Sequence, residues 1–325
     1  MEMSLLVKIK IILVFLASLI LFGAVGWSMV KPIDPTETLT LVLHQQPIRS
    51  VLATLLLGGA AVALAVVIGG RQAHFIGPAA LPIGMSVWAV LTNRIDGILL
   101  NHRELVEGKN IFYYLLADMV LWFLILYGGM WAVRIISRKL LSRKSISTPS
   151  GPEIIEPSVA RLAQNKSDGP QKQQKEYLIH TQGVILVVVI AFILLRIIIQ
   201  SGTADVVLSN QKIVKSATIP AQGQIVCGVL LSFWLATWVT RKLFKVPLNL
   251  LILAPFFVGV IFYLYAAFHG SRGTFEPFVD LSSPFILSSF TAAAILPVQY
   301  IGLGTLAVIA AYWYSFPTTD TNDFI

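Results

Sequence analysis

Two ionisable side chains stand inside otherwise apolar runs: Asp118 in "YYLLADMVLWFLILYGG" and Arg196 in "VVVIAFILLRIIIQ". A charge near the middle of a bilayer costs at least about 2.5–3.5 kcal/mol on insertion scales, so it faces protein or water and takes a partner. Asp118 lies seven residues past Ile111, where its run begins, about 10 Å deep at 1.5 Å per residue. Arg196 lies near the far end of the next run, at a comparable level. A carboxylate and a guanidinium can pair bidentately. An Asp118–Arg196 ion pair joining two halves of the molecule is therefore the candidate site. One alternative has Arg196 reaching the headgroups along its aliphatic stem while Asp118 bonds to Tyr114 or to water. A proton relay through Asp118 is a weaker alternative, because such relays use a chain of ionisable groups.

Little else is arranged for chemistry. The five histidines, at 44, 74, 102, 180 and 269, show no i, i+4 pair of the kind that binds a metal on a helix. "NHRELVE" puts His102 two residues before Glu104. With His44, His269, Glu276 and Asp280 on the same side, an external metal or acid–base site is conceivable, but scattered loop polars are the ordinary case. Cys227 is the single cysteine, which excludes an internal disulfide and a thiolate cluster. "GGRQ" lacks the lysine and preceding strand of a phosphate-binding loop. No catalytic residue, metal ligand or cofactor is expected, and an enzyme is the least favoured class.

The elements that must hold these residues are membrane spans. Of 325 residues, 56% are hydrophobic and 12% charged, against about 25% charged in soluble domains. Several apolar runs approach or exceed the ~20 residues needed to cross a bilayer. Eight spans are expected: residues 9–30, 51–68, 75–91, 111–136, 178–199, 225–240, 248–268 and 285–314. The third is short and carries Pro78, Pro82 and Gly84, so a re-entrant course is the alternative. Pro297 suggests a kink in the eighth. The first resembles a signal peptide, with Lys8 and Lys10 before an apolar stretch, but its run is long for one; an uncleaved span is the preferred reading. Trp88, Trp122, Trp131, Trp234, Trp238 and Trp313 mostly fall towards span ends, as interfacial belts do.

The net charge of +8 fits lysines and arginines gathered in cytoplasmic loops, not a nucleic-acid partner. An N-terminus inside puts 15 of the 24 basic residues on the inner side and 8 on the outer, with Arg196 in a span. Both termini are expected to be cytoplasmic, in the cell (inner) membrane. Residues 145–176, rich in Ser, Pro, Gln and Lys, read as a flexible cytoplasmic linker between a first four-span half (1–144) and a second (177–325).

The halves match in layout. Arg71 and Arg241 stand 170 positions apart at the inner ends of spans two and six. Spans three and seven share a basic start, an early proline (Pro78, Pro247), a later one (Pro82, Pro255) and then a glycine (Gly84, Gly259). The fold class expected is all-α, with two parallel four-helix repeats about an axis along the membrane normal. "LLLGGAA" and "YIGLG" read as close helix contacts. The outer connections after spans one and five carry β-branched or alternating runs, so each holds a short strand or an interfacial helix. They are the best surfaces for other membrane or extracytoplasmic subunits. The function expected is a non-catalytic subunit or scaffold of a membrane complex, with the lipid bilayer as its other partner. The alternative is a small-solute permease.

Overall fold

The computed structural model describes residues 5–32, 34, 37–95, 98, 111–145, 170–199, 203–207, 213–218, 220–271 and 285–315. Seven helices are long and apolar enough to cross a membrane: α1 (Val7–Val30), α2 (Pro47–Gly69), α3 (Ala73–Leu91), α4 (Ile111–Ser137), α5 (Tyr177–Ile199), α6 (Gln222–Leu243) and α7 (Leu248–Phe268). An eighth, α8 (Pro297–Tyr314), is less apolar but as enclosed as α3, with thirteen buried residues. α4 runs on to Ser145 and α5 starts early, at Pro170. The last residues of the expected linker are thus the first turns of a helix, while residues 146–169 of it lie outside the described residues.

Three points refine the expected fold. The spans are all helical, as expected, and the connections add one small sheet: β1 (Thr203–Val207), β2 (Ile213–Thr218) and β3 (Phe285–Leu287), antiparallel in the order β1-β2-β3. Val206 pairs with Val214, and Ala217 with Ile286. The β-branched run of the α5–α6 connection is a strand, and it recruits a third strand from the α7–α8 connection. The eighth span does not start at Phe285. After β3 the chain forms a 3-10 stretch, Ser288–Ala294, and α8 begins at Pro297. Proline there is the first residue of a helix, where its missing N–H is no loss, rather than a kink within one. Thirdly, Trp88 and Trp122 are fully buried rather than interfacial.

α3 is a single span despite its prolines, because a 3-10 turn at Gly77–Ala79 absorbs Pro78. α1 contains a π-helical turn, Leu21–Gly26. There the Phe22 carbonyl accepts a bond from Trp88 Nε1 at 2.8 Å, and the Phe22 and Trp88 rings lie 4.7 Å apart.

The helices pack as follows. α1 lies on α2 and α3, α2 on α4, and α5 on α6 and α7; α6 lies on α8, α3 on α8, α7 on α4, and α4 on α8. Lipid tails are as apolar as leucine, so close packing and internal hydrogen bonds hold such a bundle together. Glycine permits the tightest contact. A Cβ on Gly302 of α8 would stand 2.8 Å from the Met85 carbonyl carbon and 2.9 Å from the Ser86 nitrogen, both α3 backbone. Phe123 of α4 packs against Phe256 of α7, with ring centroids 4.5 Å apart and planes tilted by 31°.

Candidate functional site

Asp118 is 1% exposed, and two of its three partners come from the connection after α1, expected as an outer strand or interfacial helix open to other subunits and instead irregular and partly buried. After α1 the chain does not stay at the surface. Thr38, Leu39, Thr40 and Leu41 are buried and non-helical, so they re-enter the bundle. Irregular backbone is tolerated at that depth only if its N–H groups find acceptors in protein. The Leu39 N–H donates to Thr92 Oγ1 at 2.7 Å. The Leu41 and Val42 N–H groups both donate to Asp118 Oδ1, at 2.6 and 3.1 Å. Trp122, one turn along α4, donates from Nε1 to Oδ2 at 3.1 Å. Both carboxylate oxygens thus accept from donors that α4 and the 38–42 segment bring to them.

The expected ion pair is not formed. Arg196 is exposed on α5, and no hydrogen bond or ion pair joins it to Asp118. The physical reason is competition at the carboxylate. Two amides that would otherwise lack an acceptor sit against it, whereas a guanidinium three residues from a helix end can extend to the headgroup layer. The Tyr114 side chain is exposed and is not among the partners of Asp118 either.

The re-entrant segment shapes the end of the bundle to which it belongs, here the distal end. Beside it, between the end of α1, the start of α2 and the end of α3, opens a cleft of about 500 Å³. Its lining includes Lys31, Glu37, His44, Arg49, Ser50 and Asn93. Asn93 Nδ2 donates to the Glu37 carbonyl at 3.0 Å, and Gln45 Nε2 to Glu37 Oε1 at 2.8 Å. Arg49 donates to Gln46 Oε1 at 3.1 Å. Ser50 is 1% exposed, yet its hydroxyl has no hydrogen-bond partner. His44 Nδ1 accepts from the Gln46 N–H at 3.0 Å. That bond places the proton of the neutral ring on Nε2, and Nε2 is buried without a partner.

A second polar cluster ties the distal ends of α3, α6 and α8. Gln299, wholly buried, accepts from its own helix start at Leu296 N (2.9 Å) and donates to the Ala89 carbonyl and to Gln222 Oε1. Gln222 in turn donates to the Ala89 carbonyl at 2.6 Å. Nearby, the hydroxyls of Tyr300 and Tyr263 donate to the carbonyls of Ala292 and Ile295, satisfying the irregular stretch before α8. At the opposite end, Lys10 Nζ donates to the Gly69 carbonyl at 3.2 Å, Arg241 to the Val246 carbonyl at 3.2 Å, and Arg134 to Asn249 Oδ1. These are helix-end clamps.

Of the residues named for an external metal or acid–base site, His102, Glu104, Glu276 and Asp280 lie outside the described residues. His44 belongs to the distal cleft. No group of three or more potential metal ligands occurs among the described residues. Sequence reasoning missed Ser50, Thr92 and the two glutamines. The only signal for them was a polar residue at a span end, which most spans carry. No known protein family, curated protein or solved structure matches the chain.

Proposed function

We propose that the chain is a non-catalytic subunit of a membrane complex, built as two parallel four-helix halves, α1–α4 and α5–α8. The observation that carries the reading is the seam between the halves, which is filled rather than open. It holds the backbone contact of Gly302 with Met85 and Ser86, the tilted Phe123–Phe256 ring contact, and Gln299 reaching from α8 to α3. A solute path between moving halves needs a polar passage and a seam that can part. An interlocked seam suits a rigid support.

The neighbour pattern supports the duplication. Exchanging α1 with α5, α2 with α6, α3 with α7 and α4 with α8 turns all but one of the packed pairs into another packed pair, the exception being α2–α3, for which α6 and α7 make no comparable contact. α1–α2 becomes α5–α6, α1–α3 becomes α5–α7, α2–α4 becomes α6–α8, α3–α8 becomes α7–α4, and α4–α8 maps onto itself. A pseudo-two-fold axis would therefore run along the α4–α8 contact. The connections follow the same rule: the one after α3 bonds to the one after α1, and β3 pairs with β2. Like-facing halves require an even number of crossings, with both termini cytoplasmic. For docking, β1 and β3 are the edges of the sheet. An edge strand presents the unpaired backbone groups that a partner's strand can extend.

The test is purification of the full chain with its native neighbours in a mild detergent. Stable co-purification of other subunits supports the reading. A lone protein that moves solute after reconstitution into vesicles refutes it in favour of a permease. Cysteine tags near the two ends, labelled from one side of the membrane, should report the same side; opposite sides would overturn the paired-half architecture.

A further inference from the structure

The distal cleft does not end at its polar wall. It shares Met29, Gln46 and Arg49 with a second hollow of about 570 Å³, which runs along the outside of α2 over Ile48, Leu52 and Leu56. Ile48 is 76% exposed, Leu52 55% and Leu56 70%, so this groove opens onto the surface that faces lipid tails. A charged cleft at the end of a span thus leads directly into an apolar groove one to three turns down the same helix.

The polar part has a definite chemistry. Ser50 Oγ and His44 Nε2 are both donors without a partner. Lys31 and Arg49 are cations on the rim, and the Lys31 side chain makes no hydrogen bond or ion pair among the described residues. Two cations and two neutral donors together match the oxygens of a phosphate. The same cleft also holds the carboxylates of Asp34 and Glu37, one oxygen of Glu37 being taken by Gln45. An anionic headgroup would meet these acids unfavourably. A headgroup with both a phosphate and an ammonium complements the cations and the acids at once.

We propose that the cleft and groove form one binding site for a zwitterionic, amine-bearing phospholipid. Its phosphate lies among Lys31, Arg49, Ser50 and His44, its ammonium faces Glu37, and an acyl chain lies along Leu52 and Leu56. The site lies on α1, α2 and the ends of their connection. It is independent of whether the chain is a complex subunit.

The experiment is native mass spectrometry of the delipidated full chain, titrated with mixed micelles of dioleoylphosphatidylethanolamine. One tightly held lipid per chain is expected, held in preference to dioleoylphosphatidylglycerol. The double substitution Lys31→Gln with Arg49→Gln lowers occupancy about ten-fold or more, the equivalent of one charge-assisted hydrogen bond, whereas Lys245→Gln at the opposite end leaves it unchanged. Glu37→Gln shifts the preference towards phosphatidylglycerol. Leu56→Asn, at an exposed position that does not hold the fold, weakens the lipid but not glycerophosphoethanolamine, which has the headgroup without chains. Equal occupancy in the double variant and the unsubstituted chain overturns the site. Equal preference for the two lipids overturns the zwitterionic assignment. Tight binding of glycerophosphoethanolamine alone would assign the cleft to a soluble small molecule.

Discussion

Replacing Asp118 by alanine removes the acceptor of three donors: the buried Leu41 amide and Trp122 indole and the half-buried Val42 amide. A buried donor left unpaired costs about 1–3 kcal/mol; with the half-buried amide at the low end of that range, the three cost roughly 6 kcal/mol. The change also removes a charge from membrane depth, which returns about 3 kcal/mol on insertion scales. The balance is a loss of about 3 kcal/mol, or a rise of roughly 100-fold in the population with the re-entrant segment released. Thr40, 2% exposed at the centre of that segment, is the place to read it. In a Cys227→Ser background, Thr40→Cys should react slowly with a membrane-impermeant maleimide. Adding Asp118→Ala should accelerate labelling by about two orders of magnitude. Asp118→Asn should fall between, because its amide oxygen still serves the two backbone donors while its NH2 opposes the indole N–H. Equal labelling rates with and without Asp118→Ala would refute the view that this carboxylate holds the segment in place.

Three further substitutions test the packing. Gly302→Ala should lower the thermal midpoint in detergent by the equivalent of about 1–3 kcal/mol of overpacking, since the new methyl meets α3 backbone; Gly59→Ala, with open space around it, should leave the midpoint unchanged. Gln299→Leu leaves the buried Leu296 N–H without its acceptor, and a destabilisation of about 1–3 kcal/mol is expected in the same assay. Trp88→Phe strips the Phe22 carbonyl of its indole donor and should cost at least about 1 kcal/mol, with faster amide hydrogen exchange confined to the π-helical turn of α1.

Much of the architecture is legible in the sequence because length and apolarity suffice to define a span. Seven expected spans coincide with helices long and apolar enough to cross, including the Pro-rich third. The eighth misleads. The run from Phe285 onwards carries no charge, so composition cannot distinguish helix from the irregular stretch that precedes Pro297, of which Thr291–Leu296 are buried. That buried part is uncharged because it is enclosed by protein, not because it meets lipid. The same confusion affects Trp88 and Trp122. A tryptophan near a span end reads as interfacial, yet here each indole nitrogen serves a particular internal acceptor.

The candidate site was legible only by half. That Asp118 must have a partner follows from the cost of its charge. Who the partner is does not, because the answer is two main-chain amides, and every residue carries one. Choosing Arg196 supposed that charge answers charge. In the interior an unsatisfied amide competes for the same oxygen, and its position depends on a loop whose path no local pattern specifies.

The placing of that loop has a consequence for how the molecule is made. Leu39 waits for Thr92, 53 residues later, and Leu41 for Asp118, 77 residues later. When the first two helices emerge from the ribosome, neither acceptor has yet emerged with them. The stretch between those helices must stay in water, or with the insertion machinery, until the fourth helix brings its carboxylate alongside. Only then can the chain fold back into the bundle. Arrival of α4 is thus the step that closes this end of the protein, and a chain truncated before Asp118 would stop with its first loop still outside.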